Sequence, residues 1–255
     1  MNIAVIDSRT KNIGDDIQTL SALRFCPEAD FVVRDEIGSE NRDLALIMNA
    51  WWAEGKSFPP KENIKPLPIS MHLWDKKPFF KKPETIIWLK KNEPIGCRDL
   101  YTQNLLNGLS IKCYFSGCLT LTLPEYKGKR SGIVYVDYVP EEWKIKGALC
   151  LSHYNEVGDK LPVGERLKIA QDRLDIYKKA ELVITKRLHV ALPCIAMGTP
   201  VLVNQDVWAS ERFSGYSMPT VFKGIKYNYK VKRPTKLINN LEEKVNDFIK
   251  HIRQL

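Results

Sequence analysis

The stretch ELVITKRLHVALPCIAMGTPV, residues 181–201, determines the fold that we predict for this chain. An apolar run leads into a polar turn and a helical pattern, and after Gly-Thr-Pro a second apolar run follows. Strand, helix and strand in succession form the unit of a parallel sheet with helices on its faces. The helix should cover Arg187 to Met197, with a break or offset near Pro193, because proline lacks the amide hydrogen that a helix uses.

The same alternation of short apolar runs and helical patterns continues on both sides of this unit. In the first half we expect helices at Asp15 to Leu23 and Asp99 to Asn107, and strands at Ile3 to Asp7, Phe31 to Arg34, Leu44 to Asn49, Pro68 to His72, Thr85 to Leu89, Pro94 to Cys97 and Ile111 to Phe115. In the second half we expect helices at Gly164 to Lys179 and 236–252, and strands at Ile133 to Asp137, Ala148 to His153, Leu182 to Thr185 and Val201 to Asn204.

The segment LPEYKGKRSG, residues 123–132, interrupts this alternation with turn formers and charges. We therefore place a domain boundary there and predict an N-terminal domain at residues 1–123 and a C-terminal domain at residues 124–255. The predicted fold class is α/β, with two Rossmann-like domains that face each other across a cleft. In such sheets ligands bind at the carboxyl ends of the strands.

Composition limits the class of protein. With 255 residues, of which 44% are hydrophobic, the chain can bury a substantial core. It opens directly on a strand pattern and has no apolar run of membrane-spanning length, so we expect a cytoplasmic protein without a secretory signal. The six cysteines are scattered, with no C-x-x-C pair and no histidine at ligand spacing. Reduced thiols and no metal site are therefore expected.

The net charge of +9 indicates an anionic partner. The basic excess is greatest from Lys223 to Lys236, a segment without acidic residues that is alternatively a solvated face. No nucleic-acid-binding motif accompanies it, so nucleic acid is not the expected partner. A secondary hypothesis is peripheral contact with the inner face of the membrane through Lys76 to Pro83, KKPFFKKP. The alternative there is a solvated loop whose phenylalanines turn inward.

Two polar loops follow predicted strands in the first half. In SRTKNIGDD, residues 8–16, Gly14 permits close approach of a ligand, and Asp15 and Asp16 either contact that ligand or cap the helix. In GCRD, residues 96–99, Arg98 suits bidentate capture of a carboxylate or phosphate. Asp99 would cap the next helix or hold this arginine. The alternative for Arg98 is an interdomain salt bridge.

The loop TKRLH, residues 185–189, is the most informative. Lys186 and Arg187 would lie at a helix N-terminus, where positive charge is unfavourable unless an anion binds. His189 is then a candidate general acid or base. His72 and His153 lie at predicted strand ends, where they either line the cleft or pack against neighbouring aromatic residues.

Three stretches together resemble the polysaccharide pyruvyl transferase family. They are NIGDD at residues 12–16, PIGCRD at 94–99 with CYFSGCLTLTL at 113–123, and the opening stretch at 181–201. The resemblance implies a pair of Rossmann-like domains similar to GT-B glycosyltransferases. It also implies transfer of the enolpyruvyl group of phosphoenolpyruvate to a sugar of a cell-surface polysaccharide or its lipid-linked precursor. Phosphate would be released and a pyruvate ketal formed.

The resemblance also implies roles for individual residues. Arg98 and Arg187 would bind phosphoenolpyruvate, with Leu188 in the same R-L-H motif, and His189 would be catalytic. A carboxylate should deprotonate the acceptor, with Asp99, Asp15 and Asp16 as candidates. The other predicted substrate contacts are Lys186, Gly14, His72, His153 and the polar-turn residue Ser116.

This chemistry needs no cofactor or metal, and the expected partners are phosphoenolpyruvate and a glycan acceptor. The alternative activity is that of a GT-B-like glycosyltransferase with a nucleotide-sugar donor.

Overall fold

The structure is a computed structural model. It describes residues 1–52, 57–75, 80, 82–137, 145–203, 211–217 and 232–255. Most of the predicted basic segment Lys223 to Lys236, most of the predicted membrane loop Lys76 to Pro83, and the end of the last predicted strand at Asn204 lie outside these residues. None of the helices in the described ranges has the length and apolarity that crossing a membrane demands.

The first sheet has four parallel strands in the order β2-β1-β3-β5. They are β1 (Asn2–Asp7), β2 (Asp30–Val33), β3 (Leu44–Ile47) and β5 (Ile64–Leu67). Short parallel pairs continue from it: β4 (Trp51–Trp52) with β6 (His72–Leu73), and β7 (Ile95–Cys97) with β8 (Cys113–Phe115). Its helices are α1 (Ile13–Leu23), α2 (Pro83–Lys91) and α3 (Leu100–Gly108).

The second sheet also has four parallel strands, in the order β10-β9-β11-β12. They are β9 (Ile133–Val136), β10 (Leu149–Leu151), β11 (Leu182–Thr185) and β12 (Val201–Val203). Its helices are α4 (Val163–Lys179) and α5 (Leu188–Met197), and α6 (Thr235–Arg253) follows near the C-terminus. The predicted α/β class with parallel sheets is confirmed.

The largest hydrophobic cluster joins the two sheets. It combines Val5 of β1 and Ile17 of α1 with Val136 of β9, Leu174 of α4 and Leu192 of α5. The first sheet is formed by residues before the predicted boundary at 123/124, and the second sheet by residues after it. A division into two domains stays a prediction.

Two predictions in the first half are wrong. Residues 85–89 belong to helix α2, not to a strand, since Pro83 at the first helical turn favours helix and Thr85, Trp88 and Leu89 form its buried face. The strand predicted at Pro68 to His72 is also wrong, because β5 ends at Leu67 and β6 begins at His72. Ser70, between them, has a φ of 54°, which no extended strand can accommodate.

Helix α5 is distorted at the residue of greatest interest. His189 has φ −81° and ψ 17°, outside the helical range, whereas the helix continues through Pro193. A proline ring collides with the carbonyl four residues before it, and here that carbonyl belongs to His189. The break predicted near Pro193 therefore falls one turn earlier. Gly198 ends the helix in the left-handed conformation, with a φ of 73°.

Candidate active site

The loops after β1, β10 and β11 meet at the carboxyl ends of the two sheets. The amide of Ile13 donates to the carbonyl of His153 at 3.2 Å, and the amide of Asn155 donates to the carbonyl of Lys11 at 2.7 Å. These backbone bonds fix the start of α1 against the loop that follows β10. Thr185, at the end of β11, accepts the amide of Arg187 through its hydroxyl at 3.0 Å and so shapes the turn into α5.

Arg98 is the central cation of the site. It follows β7, its side chain is 0% exposed, and its Nε lies 3.4 Å from Asp99 Oδ2. Neither terminal guanidinium nitrogen has a hydrogen-bond partner among the described residues. Leaving a buried charged donor unpaired is costly, because no water compensates for its lost hydration. An orphaned guanidinium in this position therefore strongly indicates a site for an anion.

Asp99 holds the base of this site in place. Its Oδ1 caps α3 by accepting the amide of Thr102 at 2.9 Å, and its Oδ2 accepts a hydrogen bond from His72 Nδ1 at 2.6 Å. Burial opposes its ionisation, but His72 and Arg98 outweigh burial and hold the pKa of Asp99 below its ordinary value. Burial, together with the charge of Arg98, lowers the pKa of His72 to about 4. Asp99 is thus a fully engaged carboxylate that orients its neighbours.

His189 and His153 lie side by side against the start of α1. A β-carbon at Gly14 would lie 2.9 Å from His189 Cβ and 3.0 Å from His153 Nε2. Both Nε2 atoms are buried and lack a hydrogen-bond partner within the described ranges, whereas His153 Nδ1 lies 3.1 Å from the Tyr177 hydroxyl. The absence of a side chain at Gly14 is therefore what lets both rings approach this helix.

The two rings are uncharged in this environment. Burial lowers the pKa of His153 to about 3, although Asp137 opposes the shift. Burial, followed by the charges of Arg98 and Arg212, lowers the pKa of His189 well below its usual range. Both rings are therefore neutral near pH 7 unless an anion offsets the neighbouring cations.

We expect the Gly14→Ala variant to lose at least about 10-fold in turnover, since the new methyl group would displace the His189 ring and misplacement of about 1 Å can cost as much as 100-fold. Gly164→Ala in the first turn of α4 is the matched control, because nothing lies within 4 Å of the place that its new β-carbon would take. The control should keep full turnover and gain up to about 1 kcal/mol of stability. Equal activity of the two variants would refute the close packing of Gly14 and His189.

Arg187 is the residue that precedes the first turn of α5, and its side chain is partly exposed. Its Nε forms an ion pair with Asp137 Oδ2, and the Asp137 Oδ1 accepts the amide of His153 at 2.8 Å. Burial raises the pKa of Asp137, but these two partners outweigh burial and hold it below its ordinary value. Lys186 is half-buried beside this pair. The side chain of Leu188 is 1% exposed in the hydrophobic core, so it leaves only its backbone for contact with a ligand.

Arg212 is a further cation of the site that the sequence analysis did not identify. Its guanidinium lies over the ring of Trp51, 5.5 Å from the ring centroid. Burial, reinforced by the charge of Arg98, lowers its pKa to about 10. The segment that carries it docks on α3, where the amide of Leu100 donates to the carbonyl of Ser214 at 3.2 Å.

The remaining predicted residues differ in their surroundings. Helix α1 begins at Ile13 with Asn12 as its cap, so neither Asp15 nor Asp16 is the N-cap residue, although both lie in the first turn of the helix. Asp15 accepts a hydrogen bond from the Thr10 hydroxyl at 2.7 Å. Its charge partly offsets the lowering of the Arg212 pKa. Asp16 instead faces Arg166 at 3.2 Å, and burial raises its pKa to about 7 against the effect of this arginine. The Ser116 hydroxyl accepts the amide of Ser70 and is satisfied by backbone groups.

The charges of this cluster decide which ligand it suits. Arg98, Arg212 and Arg187 surround the neutral rings of His72, His153 and His189. The nearby carboxylates Asp99 and Asp137 are already engaged in several hydrogen bonds. A small, multiply charged anion would satisfy the orphaned donors. In the part of the chain that the structure describes, no three His, Cys, Asp or Glu side chains are grouped so that they could hold a metal ion.

The sequence analysis missed two residues of the site, Asp137 and Arg212, and the sequence contains a signal for the first. Asp137 directly follows β9, so the rule that places ligands at the carboxyl ends of strands could have identified it. Arg212 lies in a segment without periodicity or a recognised motif, and only its tertiary contacts reveal it.

The model of the family described as polysaccharide pyruvyl transferase matches residues 12–203 of the chain. The matched range includes Gly14, Arg98, Arg187 and His189, and it ends before Arg212. No curated protein matches the chain.

Proposed function

The chain belongs to the polysaccharide pyruvyl transferase family, and from this premise we propose that phosphoenolpyruvate is its donor. The family makes the protein a transferase that moves a pyruvyl group onto polysaccharide. The proposed reaction releases phosphate and attaches the group to a sugar of a cell-surface polysaccharide or its lipid-linked precursor as a pyruvate ketal.

The orphaned guanidinium of Arg98 is the observation that carries this proposal. Phosphoenolpyruvate has a carboxylate and a phosphate, both of which accept paired hydrogen bonds from arginine. Arg98 would take one of these groups, and Arg187 and Arg212 would neutralise the other. Such an anion would satisfy donors that are buried without a partner, so binding should be strong.

The protonation state of His189 follows from the same charges. Burial and then the neighbouring arginines lower the pKa of His189, and a bound trianion would offset the repulsion from these arginines. Donor binding would therefore raise the pKa of His189 and let the ring carry a proton. The ring would then protonate the methylene carbon of phosphoenolpyruvate, which leaves C2 cationic and open to attack by a sugar hydroxyl.

The remaining steps need a base for the acceptor. The hydroxyl oxygen bonds to C2 and releases its proton to a carboxylate, the C2–O bond to phosphate breaks, and a second hydroxyl closes the ketal with loss of its proton. Of the candidates, Asp15 suits this role best. It lines a cavity, although it is only 3% exposed, whereas Asp99 is engaged by His72 and Thr102 and Asp16 is paired with Arg166.

We expect His189→Gln to lower phosphate release from phosphoenolpyruvate and a glycan acceptor by at least about 100-fold, the usual contribution of a positioned general acid. Stabilisation of the folded protein by phosphoenolpyruvate should persist, since the arginines remain. His251→Gln, in the exposed last turn of α6, is the control and should match the unmodified protein.

A thermal-shift assay tests which donor the protein binds. Only a ligand of the native state raises the unfolding midpoint by mass action. Phosphoenolpyruvate should raise it and UDP-glucose should not. A rise with UDP-glucose alone would favour the glycosyltransferase alternative, and full turnover in His189→Gln would remove this residue from the mechanism.

A further inference from the structure

A cavity of about 400 Å³ lies beside the cluster formed by Arg98, Arg187 and Arg212. Three aromatic residues line it: Trp51 of β4, Trp74 just after β6, and Tyr154 in the loop after β10. The ring centroids of Trp51 and Trp74 are 6.1 Å apart at an interplanar angle of 50°, so the two indoles form an angled wall. Tyr154 is 45% exposed and presents its ring to solvent. We propose that this cavity is the subsite that binds the acceptor sugar, a single uncharged pyranose unit stacked on Trp74.

The charges of the cavity distinguish it from the donor cluster. Among the residues that the structure describes, three basic residues in its lining are balanced by three acidic ones: Arg9, Lys11, Arg34, Asp15, Asp35 and Asp159. The basic residues are also engaged in ion pairs, Arg9 with Asp7 at 3.3 Å, Lys11 with Glu156 at 3.9 Å and Arg34 with Asp35 at 3.0 Å. A second anion would find no excess positive charge here, so the cavity suits a neutral ligand.

Its chemistry fits a sugar in particular. A pyranose has a face of C–H groups that packs on an aromatic ring and a rim of hydroxyls that needs polar partners. The indoles of Trp51 and Trp74 provide the packing surface, and Thr10, Asn12 and Asp15 provide polar atoms in the same lining. The volume of about 400 Å³ lies at the lower end of the range for small-molecule sites, roughly 300 to 1,000 Å³, and so favours a single sugar unit.

The cavity is continuous with the donor cluster through two residues. Trp51 carries the Arg212 guanidinium on its ring and lies 6.3 Å from the His72 ring, and it also forms part of the cavity wall. Asp15 lines the cavity and interacts electrostatically with Arg212. A sugar on Trp74 would therefore present a hydroxyl to Asp15, next to the cations that would hold the donor. This inference rests on the proposed function, since it supplies the acceptor for that reaction.

The indole N–H signals of the six tryptophans provide a residue-specific test. Methyl glycosides of glucose, galactose, mannose and their N-acetylated forms would be titrated into ¹⁵N-labelled protein, with Trp74→Phe used to assign the Trp74 signal. At least one sugar should shift this signal. The signal of Trp88, which packs against Phe58 with ring centroids 5.0 Å apart, is the internal control and should not move.

Variants of the aromatic residues distinguish loss of the surface that packs on the sugar from loss of the folded structure. Trp74→Ala should weaken binding of that sugar by about 10-fold, equivalent to about 1.4 kcal/mol, whereas Trp74→Phe keeps an aromatic face and should lose less. Tyr154→Ala, at an exposed position, provides a second variant if Trp74→Ala does not fold. Stabilisation by phosphoenolpyruvate should be unchanged in all three.

Each failure has a distinct signature. If phosphoenolpyruvate binds but no methyl glycoside shifts Trp74, or if Trp74→Ala and Tyr154→Ala bind the sugar normally, the acceptor subsite is refuted and the donor assignment stands. If uridine shifts Trp74 and the sugars do not, the cavity is a nucleoside site and the inference is also refuted. If sugars shift Trp74 but phosphoenolpyruvate does not stabilise the protein, the proposed function fails.

Discussion

Arg98→Met should raise the dissociation constant for phosphoenolpyruvate by roughly 100-fold to 10,000-fold, and turnover at low donor concentration should fall in parallel. This range assumes that Arg98 makes two charge-assisted hydrogen bonds to the donor, each worth about 1.5 to 3 kcal/mol. Methionine has a similar shape, so the cavity around the side chain stays filled. Arg98→Lys should be intermediate, because it keeps the charge but not the planar pair of donors.

The unliganded Arg98→Met protein should fold with only a small change in stability. The unmodified side chain has two terminal nitrogens without a partner among the described residues, so its removal costs few hydrogen bonds within the protein. Isothermal titration with phosphoenolpyruvate and urea unfolding measure the two quantities separately. Retention of donor affinity within about 10-fold would mean that Arg98 does not receive the anion.

Arg166→Met should have the opposite pattern, with a free energy of unfolding lower by about 3 to 5 kcal/mol and donor affinity unchanged in the folded protein. Arg166 is 3% exposed, yet its donors are occupied by Asp16 at 3.2 Å, by the Leu161 carbonyl at 2.7 Å and by Asp7. Its loss would leave the buried Asp16 without its cation and the buried Asp7 with only the exposed Arg9 as a partner. We expect the melting temperature to fall by about 6 to 20 °C.

Two further variants test this explanation. Adding Asp16→Asn to Arg166→Met should recover part of the lost stability, since it removes one of the uncompensated charges. Arg253→Met breaks the exposed pair with Glu28 and should leave the free energy of unfolding almost unchanged. If Arg166→Met were no less stable than Arg253→Met, the buried ion pairs would not hold α4 to β1 and α1.

Much of the fold was predictable because its signals are local. The order of most strands and helices follows from short apolar runs and helical periodicity. Strands β4 and β5 were not predicted, residues 68–71 do not form the predicted strand, and the segment at 85–89 was assigned to the wrong class. There the apolar residues suited a strand, but Pro83 and the spacing of Thr85, Trp88 and Leu89 favour a helix. The position of the break in α5 was missed by one turn because proline acts on the carbonyl before it rather than at its own position.

The candidate site was predictable in part, through motifs that follow strands. Arg98 directly follows β7, and Arg187 and His189 lie within four residues of the end of β11. In parallel sheets such positions, at the carboxyl ends of strands, are where ligands bind. Those motifs also carried the family resemblance, which the family match confirms. The different roles of the three candidate carboxylates were not predictable. Asp15, Asp16 and Asp99 all lie at the start of a helix that follows a strand, but they have different partners in space.

By itself, the sequence determined the α/β class, the family and the cations of its motifs, because periodicity and short motifs depend on neighbouring residues. Only the tertiary structure decided that Gly14 packs against His189 and His153, that Asp16 faces Arg166 at a separation of 150 residues, and that Arg212 joins the cluster. The physical reason is that these contacts depend on how loops from two sheets come together. That approach is set by the shared core, and no local pattern encodes it.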